Sequence, residues 1–396
     1  MRRNLVVFMA LALPLVFSSP GLPQSSTPAL ISKSSRVDLK LLTEKANSGN
    51  PEAQYKLGVV YQRGLGVDKS EFEAIHWYRM AANSGLTDAQ NNLGYLYETG
   101  PDGLRDMAEA LNWYRRAATY GSAVAQFNLG RLYLYGLGVQ KNKEHALHWM
   151  QKSVDGNCPL ALVGLSAMYL AGEGVREDPQ RALKLAKKAA KQHNPDGEAI
   201  LGIQYLSGLG VPKNSAKSIK LLQDAAQKGS AVAQYNLALL YSTGQAVGKD
   251  TQEAVRLFRL AAEEGHVEAQ GVLGRIYELG RGVPVNSQEA IAWYRRAAGR
   301  GDAGSARQLG RMYLLGEGVD KNIGEAVKLL TLAAEKNDAY AQLSLGELYA
   351  LGTGVPQDVQ KAYALFLQAG KQLDVSNQLN EVSSQLNRED PARMTP

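Results

Sequence analysis

The chain has 396 residues, of which 45% are hydrophobic and 21% charged, and a formal net charge of +6. Those proportions are ordinary for a soluble protein, and a charge this small and scattered argues against a nucleic-acid surface. Cys158 is the single cysteine, which excludes an intrachain disulfide and any cysteine-based zinc site.

The amino terminus reads as an export signal. Arg2 and Arg3 give a positive start, Leu5 to Phe17 form an apolar run broken by Pro14, and Ser18, Ser19 and Gly21 follow as small residues. The run is too short for an ordinary transmembrane helix, and no other stretch has spanning length. We therefore expect a signal peptide over 1–21 and a Ser- and Pro-rich leader over 22–37. The remainder is expected to be exported, periplasmic or secreted, with no stable membrane span after cleavage.

Beyond the leader the chain is periodic. The centre Leu57-Gly58-x-x-Tyr61 returns as Leu93, Gly94, Tyr97 and as Leu129, Gly130, Tyr133. The glycine position recurs every 36 residues, through Ser166, Gly202, Ala238, Gly274 and Gly310 to Gly346, without an insertion. A fixed period in this range marks a solenoid, in which each unit contacts mainly its neighbours. The segment Asp38 to Asn47 lies one period before Ala74 to Asn83, so the array starts with half a repeat.

Each unit predicts two helices. Helix A carries apolar residues at Ala53, Leu57, Val60 and Tyr61, the spacing of a helical face. Gly58 sits in that helix at a cost of about 1 kcal/mol relative to Ala, which implies a close approach by a neighbouring helix. Helix A ends at Gly64, and the turn Gly64-Leu65-Gly66-Val67 follows. Helix B starts after Ser70, Asp106, Asn142, Asp178, Asn214, Asp250, Asn286, Asn322 or Asp358, all good N-cap residues. Glu73, Glu109, Glu253, Glu289 and Glu325 complete capping boxes in five units. Its stop is Gly49, Gly85, Gly121, Asn157, His193, Gly229, Gly265, Gly301 or Asn337, residue types that enter the left-handed conformation most readily. After Gly370 the period is lost. Leu373, Val375, Leu379, Val382 and Leu386 predict a capping helix within 371–396, followed by a tail.

The pattern A-x-x-x-L-G-x-x-Y, G-x-G-V, a capping residue and W-Y-x-x-A-A resembles the Sel-1-like repeat family, relatives of tetratricopeptide repeats. It stands as Ala125 to Gly130 with Tyr133, then Gly136-Leu137-Gly138-Val139, with the helix B signature in Trp77 to Ala82, Trp113 to Ala118 and Trp293 to Ala298. Unit two departs with Gly100-Pro101-Asp102-Gly103 in the turn, and unit six with Gly244-Gln245-Ala246-Val247. The resemblance covers 38–370 and implies a right-handed α/α solenoid, or superhelix, of nine repeats with terminal capping helices. It further implies a non-enzymatic adaptor or scaffold for a protein or peptide partner, with no cofactor.

The alternatives are a cell-wall-active or β-lactam-binding protein, as in a cysteine-rich branch of the family, or a lumenal quality-control adaptor. Against the first stand the lone Cys158 and the absence of any serine with a lysine three residues on. Against the second stand the lack of an N-x-[ST] acceptor and of a retention tail at Met394-Thr395-Pro396. Ser166 fills the packing-glycine position, and His145 and His148 share a helix face with no third ligand in view, so no catalytic or metal residue is assigned.

A second helix-A stripe runs beside the first, at Glu52, Tyr55, Val59 and Gln62, and varies between repeats. The resemblance to tetratricopeptide arrays implies that it faces a groove. Its candidate partner-binding residues are Tyr55, Tyr95, Phe127, Arg131, Val163, Ile203, Tyr235, Leu239, Arg275, Arg307 and Arg311. Units three to six are apolar there, which fits either a binding patch or burial against the next repeats. Arg275, Arg307 and Arg311 could grip carboxylates of a partner, or be paired internally with Glu278 or Glu347.

Overall fold

The computed structural model describes residues 39–101 and 103–389. The expected signal peptide and leader, and the expected tail beyond Glu389, lie outside them. All regular structure among the described residues is helical. A lone helix α1 (Leu39–Asn47) comes first. Five pairs follow: α2 (Pro51–Arg63) with α3 (Glu71–Asn83), α4 (Thr87–Thr99) with α5 (Met107–Thr119), α6 (Ala123–Tyr135) with α7 (Lys143–Asp155), α8 (Pro159–Ala171) with α9 (Pro179–Lys191), and α10 (Pro195–Ser207) with α11 (Ser215–Gln227). Four more are α12 (Ala231–Thr243) with α13 (Thr251–Glu263), α14 (Val267–Leu279) with α15 (Ser287–Gly299), α16 (Ala303–Leu315) with α17 (Ile323–Glu335), and α18 (Ala339–Leu351) with α19 (Val359–Ala369). The last helix is α20 (Ser376–Glu389). The chain is an all-α solenoid of helix-turn-helix repeats with flanking helices.

Local chemistry sets these boundaries. Every helix B has a side-chain N-cap; Asp106, for example, accepts from the amides of Ala108 and Glu109 at 2.9 and 3.0 Å. The stop position is left-handed throughout, including the non-glycine residues Asn157, His193 and Asn337, with φ of 61°, 57° and 63°. The turn between helices is pinned in each repeat by the motif tyrosine, whose carbonyl accepts the amide of the coming N-cap residue. Tyr97 takes that of Asp106 and Tyr205 that of Asn214, both at 2.8 Å.

A buried glutamine ties each of several repeats to the one before. Gln54, Gln90, Gln126, Gln270 and Gln342 each donate Nε2 to a carbonyl eight residues earlier, on Ala46, Ala82, Ala118, Ala262 and Ala334, at 3.0–3.2 Å. Those carbonyls belong to the last turn of the preceding helix, where no intrahelical donor remains.

The chain divides into two compact units, up to Ala233 and from Gln234, with the division inside α12. In the first, Tyr55, Val59, Tyr78, Leu93, Leu96, Tyr114 and Leu132 form one buried cluster. In the second, Leu330, Leu345, Leu348 and Leu365 form another. At its end Val359, Phe366, Val375 and Val382 pack together, with Leu373, Leu379 and Leu386 against them, so α20 covers the face of α19.

Candidate functional site

The variable residues of helix A fall in two columns, each repeating every 36 positions. One runs Tyr55, Asn91, Phe127, Val163, Ala199, Tyr235, Gly271, Arg307, Leu343, and the other Val59, Tyr95, Arg131, Ala167, Ile203, Leu239, Arg275, Arg311, Glu347. Of the two readings of this stripe, a groove-facing patch or burial against neighbouring repeats, Tyr55, Phe127, Arg131, Val163, Ile203 and Tyr235 follow the second, since all are buried. Tyr95 and Leu239 are half-buried. The reason lies in how repeats stack. The flank of helix A packs on its own helix B, with the Tyr55 and Tyr78 rings 5.7 Å apart, and on the next helix A, where Asn128 donates to Asn91 at 2.9 Å.

Two of the arginines have internal partners fixed by the repeat. Arg131 donates to Glu98, whose other oxygen accepts from the Tyr114 hydroxyl at 3.0 Å. In the second unit the same offsets bring Arg311 to Glu278 at 2.5 Å, with Tyr294 donating to Glu278 at 2.6 Å. Arg311 also pairs with Glu317 at 2.6 Å. Arg307 donates to Asp338 at 3.1 Å and lies over the Tyr340 ring. Internal pairing thus holds for Arg311 through Glu278, whereas Arg307 uses an acid that the sequence reading passed over.

Arg275 differs. The residue 33 positions earlier, where Arg131 and Arg311 find Glu98 and Glu278, is Ser242. A serine offers no countercharge. Arg275 is exposed and has no carboxylate within ion-pair distance among the described residues.

Beside it, Gly271 interrupts the first column. The missing side chain leaves a cleft of about 280 Å³ lined by Tyr235, Glu268, Gly271, Val272, Arg275, Tyr294, Asp302, Ser305 and Arg307. A Cβ placed on Gly271 would stand 2.9 Å from Ser305 Oγ and 3.5 Å from Asp302 Oδ2, which identifies those atoms as the floor. Ser305 is 2% exposed, and its Oγ makes no hydrogen bond. Asp302 is the N-cap of α16 and accepts from the Ser305 amide at 2.6 Å. Val272 also lines a second depression, about 550 Å³, with Leu239, Ser242, Val255, Phe258 and Ile276.

The cleft has unusual titration. Burial, then the charge of Asp302, pushes the Glu268 carboxyl up to about 7. His266 caps α14 by accepting the Ala269 amide on Nδ1 at 3.4 Å, and stacks on Tyr235 with centroids 4.5 Å apart. Burial lowers its imidazole to about 4. The 3.3 Å approach of His266 Nδ1 to Glu268 Oε2 has ion-pair geometry, yet the imidazole is neutral and its Nδ1 is already an acceptor. We therefore read it as a contact between near-neutral groups. Burial also holds the Tyr235 hydroxyl up at about 12.

Gly271, Glu268, Asp302 and Ser305 were not among the sequence candidates. The available signal was a glycine in a column otherwise filled by side chains. The remaining chemically capable residues stay apart. Cys158 is a buried helix-start residue whose thiol burial pushes up, and His145 and His148 stand edge-on to Tyr133 and Trp149. No group of three or more His, Cys, Asp or Glu side chains that could hold a metal ion occurs among the described residues. No helix among them is long and apolar enough to cross a membrane.

Comparison with known families gives nine consecutive matches to the Sel1 repeat, tiling residues 51–86 through 339–372. Among solved structures, a Sel1 repeat protein from Oxalobacter formigenes is 27% identical over 90% of this chain and 92% of its own, with a TM-score of 0.49. A protective antigen present in uropathogenic Escherichia coli strains and displaying an SLR fold is 28% identical over 90% of this chain and 89% of its own, TM-score 0.45. An immunity protein from Pseudomonas aeruginosa is 24% identical over 54% of this chain and 82% of its own, TM-score 0.41. No curated protein matches the sequence.

Proposed function

The chain belongs to the Sel1 repeat family, and from that premise we propose that it is an exported, non-enzymatic scaffold. It binds a protein partner through the helix-A columns of its second unit. In a repeat array the recurring positions are used by packing, so specificity rests with the varying ones. Most of those are buried in the first unit, and the second unit presents the exposed members.

The observation that carries this reading is Arg275, an exposed guanidinium whose repeat-equivalent partner is Ser242 instead of Glu. A guanidinium left free at the mouth of a cleft is suited to a forked hydrogen bond with a partner's carboxylate. The depression lined by Leu239, Val255, Phe258 and Ile276 lies next to it through Val272 and suits an apolar stretch of the same segment. The expected partner therefore offers a segment with an apolar body and an acidic residue.

The test is capture of interacting proteins from a periplasmic extract by the purified chain, with crosslinking and mass spectrometry, compared with Arg275→Glu. We expect at least one protein to be captured by the parent and lost in the variant, with thermal unfolding unchanged. Equal capture by both would refute the assignment of Arg275. Export is read separately, from cleavage and fractionation of the full chain.

A further inference from the structure

We infer that the Gly271 cleft is a socket for a single guanidinium or primary ammonium group carried on a slender carbon stem, supplied by a basic side chain of the partner. This rests on the scaffold reading above and adds the chemistry of one contact to it. It differs from the role of Arg275, which acts at the mouth.

The floor presents the Asp302 carboxylate and the Ser305 hydroxyl, and Glu268 lines the cleft beside them. Glu268 Oε2 and Ser305 Oγ are both shielded from water and make no hydrogen bond. Buried polar atoms are almost always satisfied, so the unpartnered Ser305 Oγ under Gly271 points to a group that completes it, while Glu268 Oε2 lies against His266 Nδ1 at 3.3 Å. On the floor acceptors predominate and a multi-donor cation meets that need, whereas the donors of Arg275 stand at the mouth, where an anion would be held. Arg307 does not cancel them, because its guanidinium is held by Asp338 at 3.1 Å. Tyr235 and Val272 supply walls for a carbon stem, and a space of about 280 Å³ admits one long side chain but no folded segment.

The period explains why the socket occurs here. The same column carries Tyr235 one repeat earlier and Arg307 one repeat later, and only Gly271 leaves its place empty. The floor is built by the coming repeat, whose helix start brings Asp302 and Ser305 under the gap. A basic group seated there would meet Glu268 and Asp302 together, while Arg275 at the mouth holds an acid beside it in the partner.

The test uses the full chain and ligand-observed NMR titrations with N-acetyl-L-argininamide, N-acetyl-L-lysinamide and, as the opposing probe, N-acetyl-L-glutamic acid amide. The groups facing the socket are Tyr235 from α12, Glu268 and Arg275 from α14 with His266 at its start, Tyr294 from α15, and Asp302 and Arg307 from α16. The Glu268 carboxyl, at about 7, changes charge near neutrality. A cationic probe should therefore bind about tenfold more tightly at pH 8 than at pH 6, following the ionised fraction of Glu268. Glu268→Gln should weaken it about tenfold at pH 8 and flatten the pH dependence. Gly271→Leu should abolish it, and Gly271→Ala, the gentler filling, should weaken it severalfold with the chain folded. The socket is refuted if neither cationic probe binds at pH 8, if both bind Glu268→Gln undiminished, or if the acidic probe is preferred. Probe failure combined with partner capture that still depends on Arg275 would remove the socket and leave the scaffold. Probe binding without any captured partner would do the reverse.

Discussion

The ring of Tyr78 occupies the space where Gly58 has no side chain: a Cβ built on Gly58 would meet Tyr78 Cδ1 at 2.5 Å and Cε1 at 2.6 Å. Gly94 stands in the same way to Tyr114, Gly274 to Tyr294, and Gly346 to Phe366. In the fourth repeat Ser166 takes the glycine place, the residue at the tyrosine place is Ala186, and the Ser166 hydroxyl donates to the Ala182 carbonyl at 2.8 Å. Glycine faces a ring in these four repeats, whereas the sixth repeat carries Ala238 opposite the buried Phe258. In an exposed helix, Gly→Ala stabilises by about 1 kcal/mol. Gly58→Ala should instead destabilise by about 1–2 kcal/mol, because the fully buried Tyr78 ring must move. Urea unfolding checks the sign, and a stabilised variant would show that the ring moves freely.

The glutamine ties give a second prediction. Gln90→Ala removes the 3.0 Å bond to the Ala82 carbonyl at a buried repeat junction and leaves that carbonyl with the Gly85 amide at 3.0 Å. We expect a loss of about 1–2 kcal/mol. Gln90→Leu should cost less, since Leu162 fills the equivalent place in the fourth repeat and is fully buried there. Melting of the two variants side by side decides it, with equal losses as the contrary outcome.

What the sequence disclosed divides along physical lines. Helix ends were legible because they depend on one residue each: Asp106 must cap, and His193 must turn left-handed. Repeat spacing was legible because packing recurs identically. The column of Tyr55 and Phe127 stood open between groove and burial, because burial between successive helices A depends on how repeats stack, which no single repeat encodes. Arg131 looked like a surface interruption, yet its partner Glu98 lies a near-period away, outside any local pattern. The cleft was hardest to see, since it comes from the absence of a side chain at Gly271 and from Ser242 standing where an acid would be.

The two arginine triads separate burial from mere pairing. Arg131 and Glu98 are 1% and 9% exposed, whereas Arg311 and Glu278 are 37% and 17% exposed. Arg131→Met should cost about 3 kcal/mol, because Glu98 is left charged and desolvated. Arg311→Met should cost less than about 1 kcal/mol, since water already screens that pair. Denaturant melts of both variants test the contrast, and similar losses would contradict it.

The turn of the sixth repeat carries strain that can be removed. Ala246 has φ 63°, where the equivalent residues Gly66, Gly138, Gly282 and Gly354 have φ between 66° and 78°. A left-handed alanine costs about 1 kcal/mol more than glycine, partly offset by the greater freedom of glycine when unfolded. Ala246→Gly should therefore stabilise the second unit by about 0.5–1 kcal/mol. A lowered melting temperature would overturn this account of the turn.

Glu268 and His266 give opposite pH signatures within one site. The Glu268 carboxyl sits at about 7 in the fold against 4.5 ordinarily, so the folded chain binds its proton more tightly than the unfolded one. Its contribution is fully present below about pH 4.5 and is lost as pH rises through about 7. His266 sits at about 4 against 6.5, so its contribution is fully present above about 6.5 and is lost as pH falls through about 4. Between these limits the two slopes oppose and largely hide each other in the parent chain. Glu268→Gln removes only the first. The variant should equal the parent near pH 4.5 and gain on it steadily to about pH 7, reaching a plateau near 2 kcal/mol after allowance for partial exposure. Unfolding free energies at pH 4.5, 6 and 8 measure it. A difference independent of pH would mean that Glu268 titrates as an ordinary surface acid, and the cleft would lose the proton that sets it apart.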